Sequence, residues 1–334
     1  MTVGIVSTGI YIPQTKMTSK EIATLSNIPE DIIRQKMGIY EKSIPGEGDH
    51  TVQMGIWAAQ AAIRKAHIDP KDIDVVIYMG EEHKEYPLWT ASIKMQEELG
   101  AVNAWAFDVQ LRCGTTIMAL KLAKSLMVSD DTIHTVLLAG GYRNVDFIDY
   151  SNPRTRFMYN LAAGGGAILL QKDYDKNHLL EVDIMTDGSF SEDVVVPVGG
   201  TKKPLTPFDL ENNLYQLDVI DPIGMKERLE QKSLSNFLKV IRTSLAKSGL
   251  NEGDIGYLAM LHMKKSAHDY ILSELSLQQE QSIYLQEYGH IGQIDQIVSL
   301  QLALEDGRIR DGDIVTLVSA GIGYVWGAIT IRWG

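Results

Sequence analysis

The chain of 334 residues contains a single cysteine, Cys113. An intrachain disulfide is therefore excluded, and so is a metal site built from several thiolates. No stretch approaches the run of about eighteen uncharged apolar residues that marks a membrane-spanning helix. The opening residues, Met-Thr-Val-Gly-Ile-Val, lack the basic start and long apolar segment of a secretory signal. Positive charge is also short: 31 Lys and Arg stand against 43 Asp and Glu, a net charge of −12. Affinity for a phosphate backbone rests on cations that neutralise phosphates, so nucleic acid is not expected as a partner. One cysteine beside 13 methionines suits a reducing cytoplasm. His83, His134, His178 and His268 show no ligand spacing, and His262 and His268 do not share a helix face, so no metal is expected.

What is present begins with the setting of that cysteine. Residues 104–109 read as a strand running into it, and residues 115–127 read as a buried helix with Ala and Leu at helical spacing. The thiol thus falls at a helix N-terminus, where unpaired backbone N–H groups and the dipole favour a thiolate. A lone cysteine is commonly a small buried hydrophobe, but this position makes Cys113 a candidate nucleophile. Arg112 beside it would add positive charge if its side chain turned that way.

The order of elements also repeats. Residues 58–81 (AAQAAIRKAHIDPKDIDVVIYMGE) and 241–263 (IRTSLAKSGLNEGDIGYLAMLHM) each read as helix, turn and buried strand. At one fixed offset Lys65 falls on Lys247, Ile68 on Leu250, and Asp72-Ile73 on Asp254-Ile255. A second pairing follows at nearly the same offset: residues 118–127 then 135–141, against 298–307 then 314–321. Short β-branched strands bounded by Gly or Asp are typical of strands covered by helices on both faces. The expected fold is therefore α/β, made of two duplicated halves, residues 1–172 and 173–334, packed about a pseudo-two-fold axis.

Such an axis brings equivalent elements together. Cys113 precedes the buried helix of the first half and His290 precedes its counterpart in the second, so the two should approach one another. His262 follows the strand equivalent to residues 75–79, at the C-terminal sheet edge where α/β proteins place ligands. A thiol and two imidazoles in one cleft are suited to thioester exchange.

Several motifs resemble those of the thiolase superfamily, on the branch of type III ketoacyl-acyl-carrier-protein synthases. Residues 4–13 (GIVSTGIYIP) resemble the opening strand, 34–39 (RQKMGI) the Arg-Thr-Gly-Ile segment, and Asp108-x4-Cys113 the approach to the nucleophile. Residues 161–167 (LAAGGGA) resemble the glycine turn before a core strand, and 320–327 (AGIGYVWG) the closing strand. The resemblance implies a five-layered α-β-α-β-α core, a homodimer and Claisen chemistry on acyl-CoA or acyl-carrier-protein thioesters without a further cofactor. It makes Cys113 the acylated nucleophile, and the N–H groups of Cys113 and Ile322 an oxyanion hole. His262 and His290 become neutral N–H donors to an enolate.

This chain departs from that pattern at several positions. The relatives usually carry Asn where His290 stands, and Gly289-His290-x4-Asp295 resembles instead some starter-unit enzymes of polyketide pathways, with Asp295 supporting the imidazole. Met263, Lys264 and Lys265 replace small polar residues. Ile32 stands for an adenine-stacking Trp, and Lys36 for an Arg. Arg154 and Arg156 are candidates for a substrate phosphate, as are Lys36 and Lys265. Trp89, after Tyr86-Pro87-Leu88, falls where the family's acyl pocket is capped by the partner subunit, hinting at a short acyl group. Glu81 falls near the acid/base glutamate of hydroxymethylglutaryl-CoA synthases, but the charged run Glu82-His83-Lys84-Glu85 after it reads as a solvated loop. Carbon–carbon condensation with a malonyl-type thioester is the leading expectation. Acyl transfer to a hydroxyl or amine, a hydroxymethylglutaryl-CoA synthase-like reaction, and a catalytically silent partner subunit are the alternatives.

Overall fold

The computed structural model describes residues 1–334. Nine strands form the main sheet: β1 (Val3–Tyr11), β2 (Val75–Met79), β3 (Trp105–Val109), β4 (Thr135–Tyr142), β5 (Gly164–Lys172), β6 (His178–Thr186), β7 (Ile255–Met260), β8 (Ile314–Gly321) and β9 (Val325–Arg332). Their spatial order is β7-β8-β9-β6-β1-β5-β4-β2-β3. β1 and β6 meet at one register pair only, Gly4 opposite His178, so the array is two sheets hinged at its centre. Outward from that hinge the first half runs β1-β5-β4-β2 and the second β6-β9-β8-β7. The repeat read from the sequence is thus a repeat of topology, extended in the first half by edge strand β3.

Six helices complete the layers: α1 (Thr51–Ala66), α2 (Ala91–Leu99), α3 (Thr115–Ser129), α4 (Pro222–Lys247), α5 (Lys265–Glu274) and α6 (Asp295–Glu305). α1 and α2 cover the outer face of the first sheet, while α4 covers that of the second with α5 beside it. α3 and α6 lie between, each packed on strands of both halves. The result is the five-layered α-β-α-β-α arrangement. Burial follows from it. Every residue of β2 and β4 is buried, as expected for strands covered on both faces. The middle helices are apolar around much of their circumference: Ile117, Ala119, Leu120 and Ala123 on α3, and Ile297, Val298, Leu300 and Ala303 on α6, are inaccessible to solvent. No helix is long and apolar enough to cross a membrane.

This architecture positions the chemistry. The turn between β3 and α3 and the turn before α6 belong to different halves, yet the central layer brings both to the mouth of one cavity.

Candidate active site

Cys113 sits in a tight turn between β3 and α3. Arg112, directly before it, has φ +49°, a left-handed conformation that side chains other than glycine adopt at a cost. Two contacts hold the turn. Thr115 Oγ1 accepts the Leu111 N–H at 2.8 Å and donates to the Arg112 carbonyl. The Arg112 side chain swings to Glu81, with Nη1 3.0 Å from Oε2. The Cys113 carbonyl is fixed by Ser319 Oγ at 2.6 Å. The thiol is thereby presented, almost buried, to a cavity of about 1050 Å³.

His290 approaches from the second half. Its Nε2 lies 3.2 Å from Cys113 Sγ, and its Nδ1 lies 2.6 Å from Asp295 Oδ2. Its backbone is pinned on both sides: the N–H donates to the Asn160 carbonyl at 2.7 Å, and the carbonyl accepts the Ala162 N–H at 2.9 Å. Gly289 makes this approach possible. Its φ is +74°, and a Cβ there would lie 2.7 Å from both the Asn160 oxygen and Lys42 Cβ. Asp295 is inaccessible and opens α6. Besides His290 it accepts the His262 N–H at 2.7 Å and the Ile291 N–H at 2.6 Å. Burial works against a charged His290, but the Asp295 carboxylate and the Cys113 sulfur together raise it well above the ordinary imidazole value. Cys113, His290 and Asp295 form one continuous chain of contacts.

His262 is in the same cavity and differs in state. Asn160 Nδ2 donates to its Nδ1 at 2.9 Å, which puts the proton on Nε2, and Nε2–H donates to the Gly38 carbonyl at 3.0 Å. Tyr284 stacks on its ring, with centroids 5.2 Å apart. Burial lowers its pKa to about 4, so it is neutral near pH 7. The expected N–H donor is present, but here it is bonded to the backbone of the segment 34–39.

Gly321 packs on the other side of Cys113. A Cβ there would come 2.9 Å from the Cys113 nitrogen, so its absence lets the 321–323 turn lie against the thiol. Neither the Cys113 N–H nor the Ile322 N–H donates to a protein acceptor, and Ile322 lines the cavity.

Glu81 is not solvated. It is 3 % exposed and lines the cavity, whereas its neighbour Glu82 is exposed. Burial pushes its carboxyl above the ordinary range even with Arg112 beside it. The charged run after it is tied down at the cavity edge, His83 to Asp146 at 2.9 Å and Lys84 to Asp108 at 2.7 Å. That pairing, invisible in the linear sequence, is why the solvated-loop reading fails.

Arg154 and Arg156 are exposed at the cavity rim, Arg154 paired with Asp218 at 2.6 Å. Lys36, Lys265 and Trp89 do not line the cavity. Lys36 is exposed after Ile33, Lys265 pairs with Asp269 at the start of α5, and Trp89 lies edge-on to Tyr86 beside the α1–α2 layer. Asn160, which joins the two histidines, was missed by sequence reasoning. The only signal for it is one polar residue abutting the glycine-rich segment 161–167.

Comparison with known proteins agrees with this picture. The description "3-Oxoacyl-[acyl-carrier-protein (ACP)] synthase III" matches residues 107–188, and its C-terminal counterpart matches 245–333, together just over half of the chain. The β-ketoacyl-[acyl-carrier-protein] synthase III of Azobacteroides pseudotrichonymphae is 26% identical over 98% of this chain and 97% of its own. The crystal structure of 3-oxoacyl-[acyl-carrier-protein] synthase III from Aquifex aeolicus superposes with a TM-score of 0.86 at 21% identity, covering 99% of this chain and 100% of that one. ChlB3, named as an acyltransferase, superposes with a TM-score of 0.80 at 19% identity, covering 100% and 98%. Fold and site define a thiolase-superfamily enzyme of the class that transfers or condenses acyl thioesters. Within it, the chain belongs to the 3-oxoacyl-acyl-carrier-protein synthase III family.

Proposed function

We propose that this enzyme is acylated on Cys113 by a CoA or acyl-carrier-protein thioester and passes the acyl group to a hydroxyl or amine acceptor, with His290 and Asp295 as the acid–base pair. The observation that carries this reading is the position of His290, which bridges the nucleophilic sulfur at 3.2 Å and a buried carboxylate at 2.6 Å. A neutral oxyanion donor needs no carboxylate behind it. A base that must gain and lose a proton does.

In the resting state the imidazolium faces the Cys113 thiolate. The thiolate attacks the donor carbonyl carbon, and the oxyanion rests on the N–H groups of Cys113 and Ile322. Collapse breaks the carbon–sulfur bond to the donor, and His290 Nε2 gives its proton to the departing thiolate. Acylation removes the negative sulfur that helped hold that proton, so His290 is left neutral and able to act as a base. It then takes the proton of the acceptor O–H or N–H as the acceptor attacks the acyl carbon. Collapse of the second adduct releases ester or amide and restores the thiolate–imidazolium pair. Glu81, bound to Arg112, supports the turn that presents Cys113. Arg154 and Arg156 stand at the rim, where a donor's phosphate would enter. The homodimer expected of the family belongs to this reading.

Condensation with a malonyl thioester is the second reading, favoured by the names of the relatives that cover the whole chain. It needs the His262 Nε2–H at the thioester oxygen, and that proton donates to Gly38 instead. The test is to load Cys113 with a short acyl group from acyl-CoA, confirm it by intact mass, and offer either a malonyl thioester or a primary amine. Amide formation that is lost in His290→Ala supports transfer. Release of carbon dioxide with a 3-oxoacyl product supports condensation instead.

A further inference from the structure

We infer that Lys42 is a positioning residue of this site: its buried ammonium clamps the two carbonyls that flank Asn160, and through Asn160 it fixes both His262 and His290. Lys42 lies on the short strand Glu41–Ser43 and is inaccessible to solvent. Its Nζ donates to the Tyr159 carbonyl at 2.8 Å and to the Leu161 carbonyl at 2.6 Å. The Tyr150 ring centroid is 5.0 Å from Nζ, and no carboxylate is within ion-pair distance. Between the two clamped carbonyls, Asn160 makes the contacts that define both imidazoles. Its side chain donates to His262 Nδ1, and its carbonyl accepts the His290 N–H.

Physical cost makes a merely space-filling role a poor explanation. A buried ammonium without a counter-charge is expensive, and a methionine would fill the same volume without that penalty. Burial lowers the Lys42 pKa to about 7, and these two carbonyls and one aromatic face are the partners its Nζ has. A second feature points the same way. The absence of a side chain at Gly289, where a Cβ would lie 2.7 Å from Lys42 Cβ, leaves room for the lysine stem beneath the residue that leads into His290. Donation to the Tyr159 and Leu161 carbonyls restrains the 159–160 and 161–162 peptide units, between which lies the 160–161 unit whose carbonyl holds the His290 N–H, and rotation there would move His290 Nε2 away from the sulfur.

The inference rests on Cys113 and His290 being the reacting pair, and the experiment keeps the two ideas apart. The probe is iodoacetamide at neutral pH, with Cys113 alkylation followed by intact mass in wild type, Lys42→Met, Lys42→Gln and His290→Ala. His290→Ala sets the floor. If it alkylates as fast as wild type, the reading of the Cys113–His290 pair fails, whatever Lys42 does. With that floor established, Lys42→Met should slow alkylation about tenfold through misplacement of His290. Lys42→Gln keeps N–H donors and should recover much of the rate. Wild-type rates in Lys42→Met, or equal losses in Met and Gln, would overturn the clamp. Should Lys42→Met fail to fold, Lys42→Ala takes its place beside Lys42→Gln: slower alkylation in Ala than in Gln supports the clamp, and equal rates in the two refute it.

Discussion

Asp295→Asn is the sharpest perturbation of the site, because three donors converge on one buried carboxylate. His290 Nδ1 and the His262 N–H share Oδ2, at 2.6 and 2.7 Å, and the Ile291 N–H takes Oδ1 at 2.6 Å. An amide supplies one acceptor atom where the carboxylate supplies two. Whichever way it is turned, a backbone N–H faces an NH₂ group, at a cost of about 1–3 kcal/mol in stability. The larger effect is on His290. Without the carboxylate, only the Cys113 sulfur is left to oppose burial, so the His290 pKa falls and the sulfur faces less positive charge. Alkylation of Cys113 at neutral pH should therefore slow. Turnover should fall further, by about two to four orders of magnitude, because the ring must also act as a base. The assay is the rate of Cys113 alkylation at neutral pH, measured beside turnover. Asp295→Asn should be slower than wild type in both. If the two alkylation rates coincide and turnover agrees within threefold, the acid–base role given to Asp295 is wrong.

Other outcomes follow from the same geometry. Cys113→Ala should remain folded, losing about 1–2 kcal/mol, and should show no acyl adduct by intact mass. His290→Asn and His290→Ala should be equally inactive in acyl transfer, since an amide cannot carry a proton; an Asn variant retaining most of the wild-type rate would point to condensation. Arg112→Met should destabilise the fold by about 1–3 kcal/mol, because Glu81 is left buried without its half-exposed partner, and Glu81→Gln in the same chain should recover part of that loss in urea midpoint. Burial holds His262 and His268 near pKa 4, against an ordinary 6.5. The unfolded chain therefore takes up these two protons first, and the contribution of these two histidines to stability should be lost as pH falls between 6.5 and 4. His268→Gln should reduce that slope by about half in urea titrations.

Duplication was the part of the fold most legible in the sequence, because helix–turn–strand periodicity is local and its recurrence needs no knowledge of packing. From it came the meeting of Cys113 with His290, two residues far apart in the chain. Asp295 was visible as a spacing from His290. What escaped depended on how side chains turn. Glu81 stands among charged neighbours that look solvated, yet the left-handed turn at Arg112 seals it into the cavity. Lys42 looks like any surface lysine in a polar stretch, and its burial is decided by residues 159–161. The His262 proton was expected to face substrate and instead meets Gly38, a contact between segments that no local pattern connects.

The place of β1 has a consequence for biosynthesis. It leaves the ribosome well before its neighbours on either side, β5 and β6, with Val3 opposite Lys172 and Gly4 opposite His178. At about 5–20 residues per second, β1 waits roughly ten to thirty seconds with both edges unpaired before its partners are synthesised. Exposed strand edges of that kind invite aggregation, so the nascent chain should lean on holdase chaperones during that interval. Cys113 is made early and His290 late, and a ribosome stalled before His290 leaves a chain whose one thiol has no imidazole beside it.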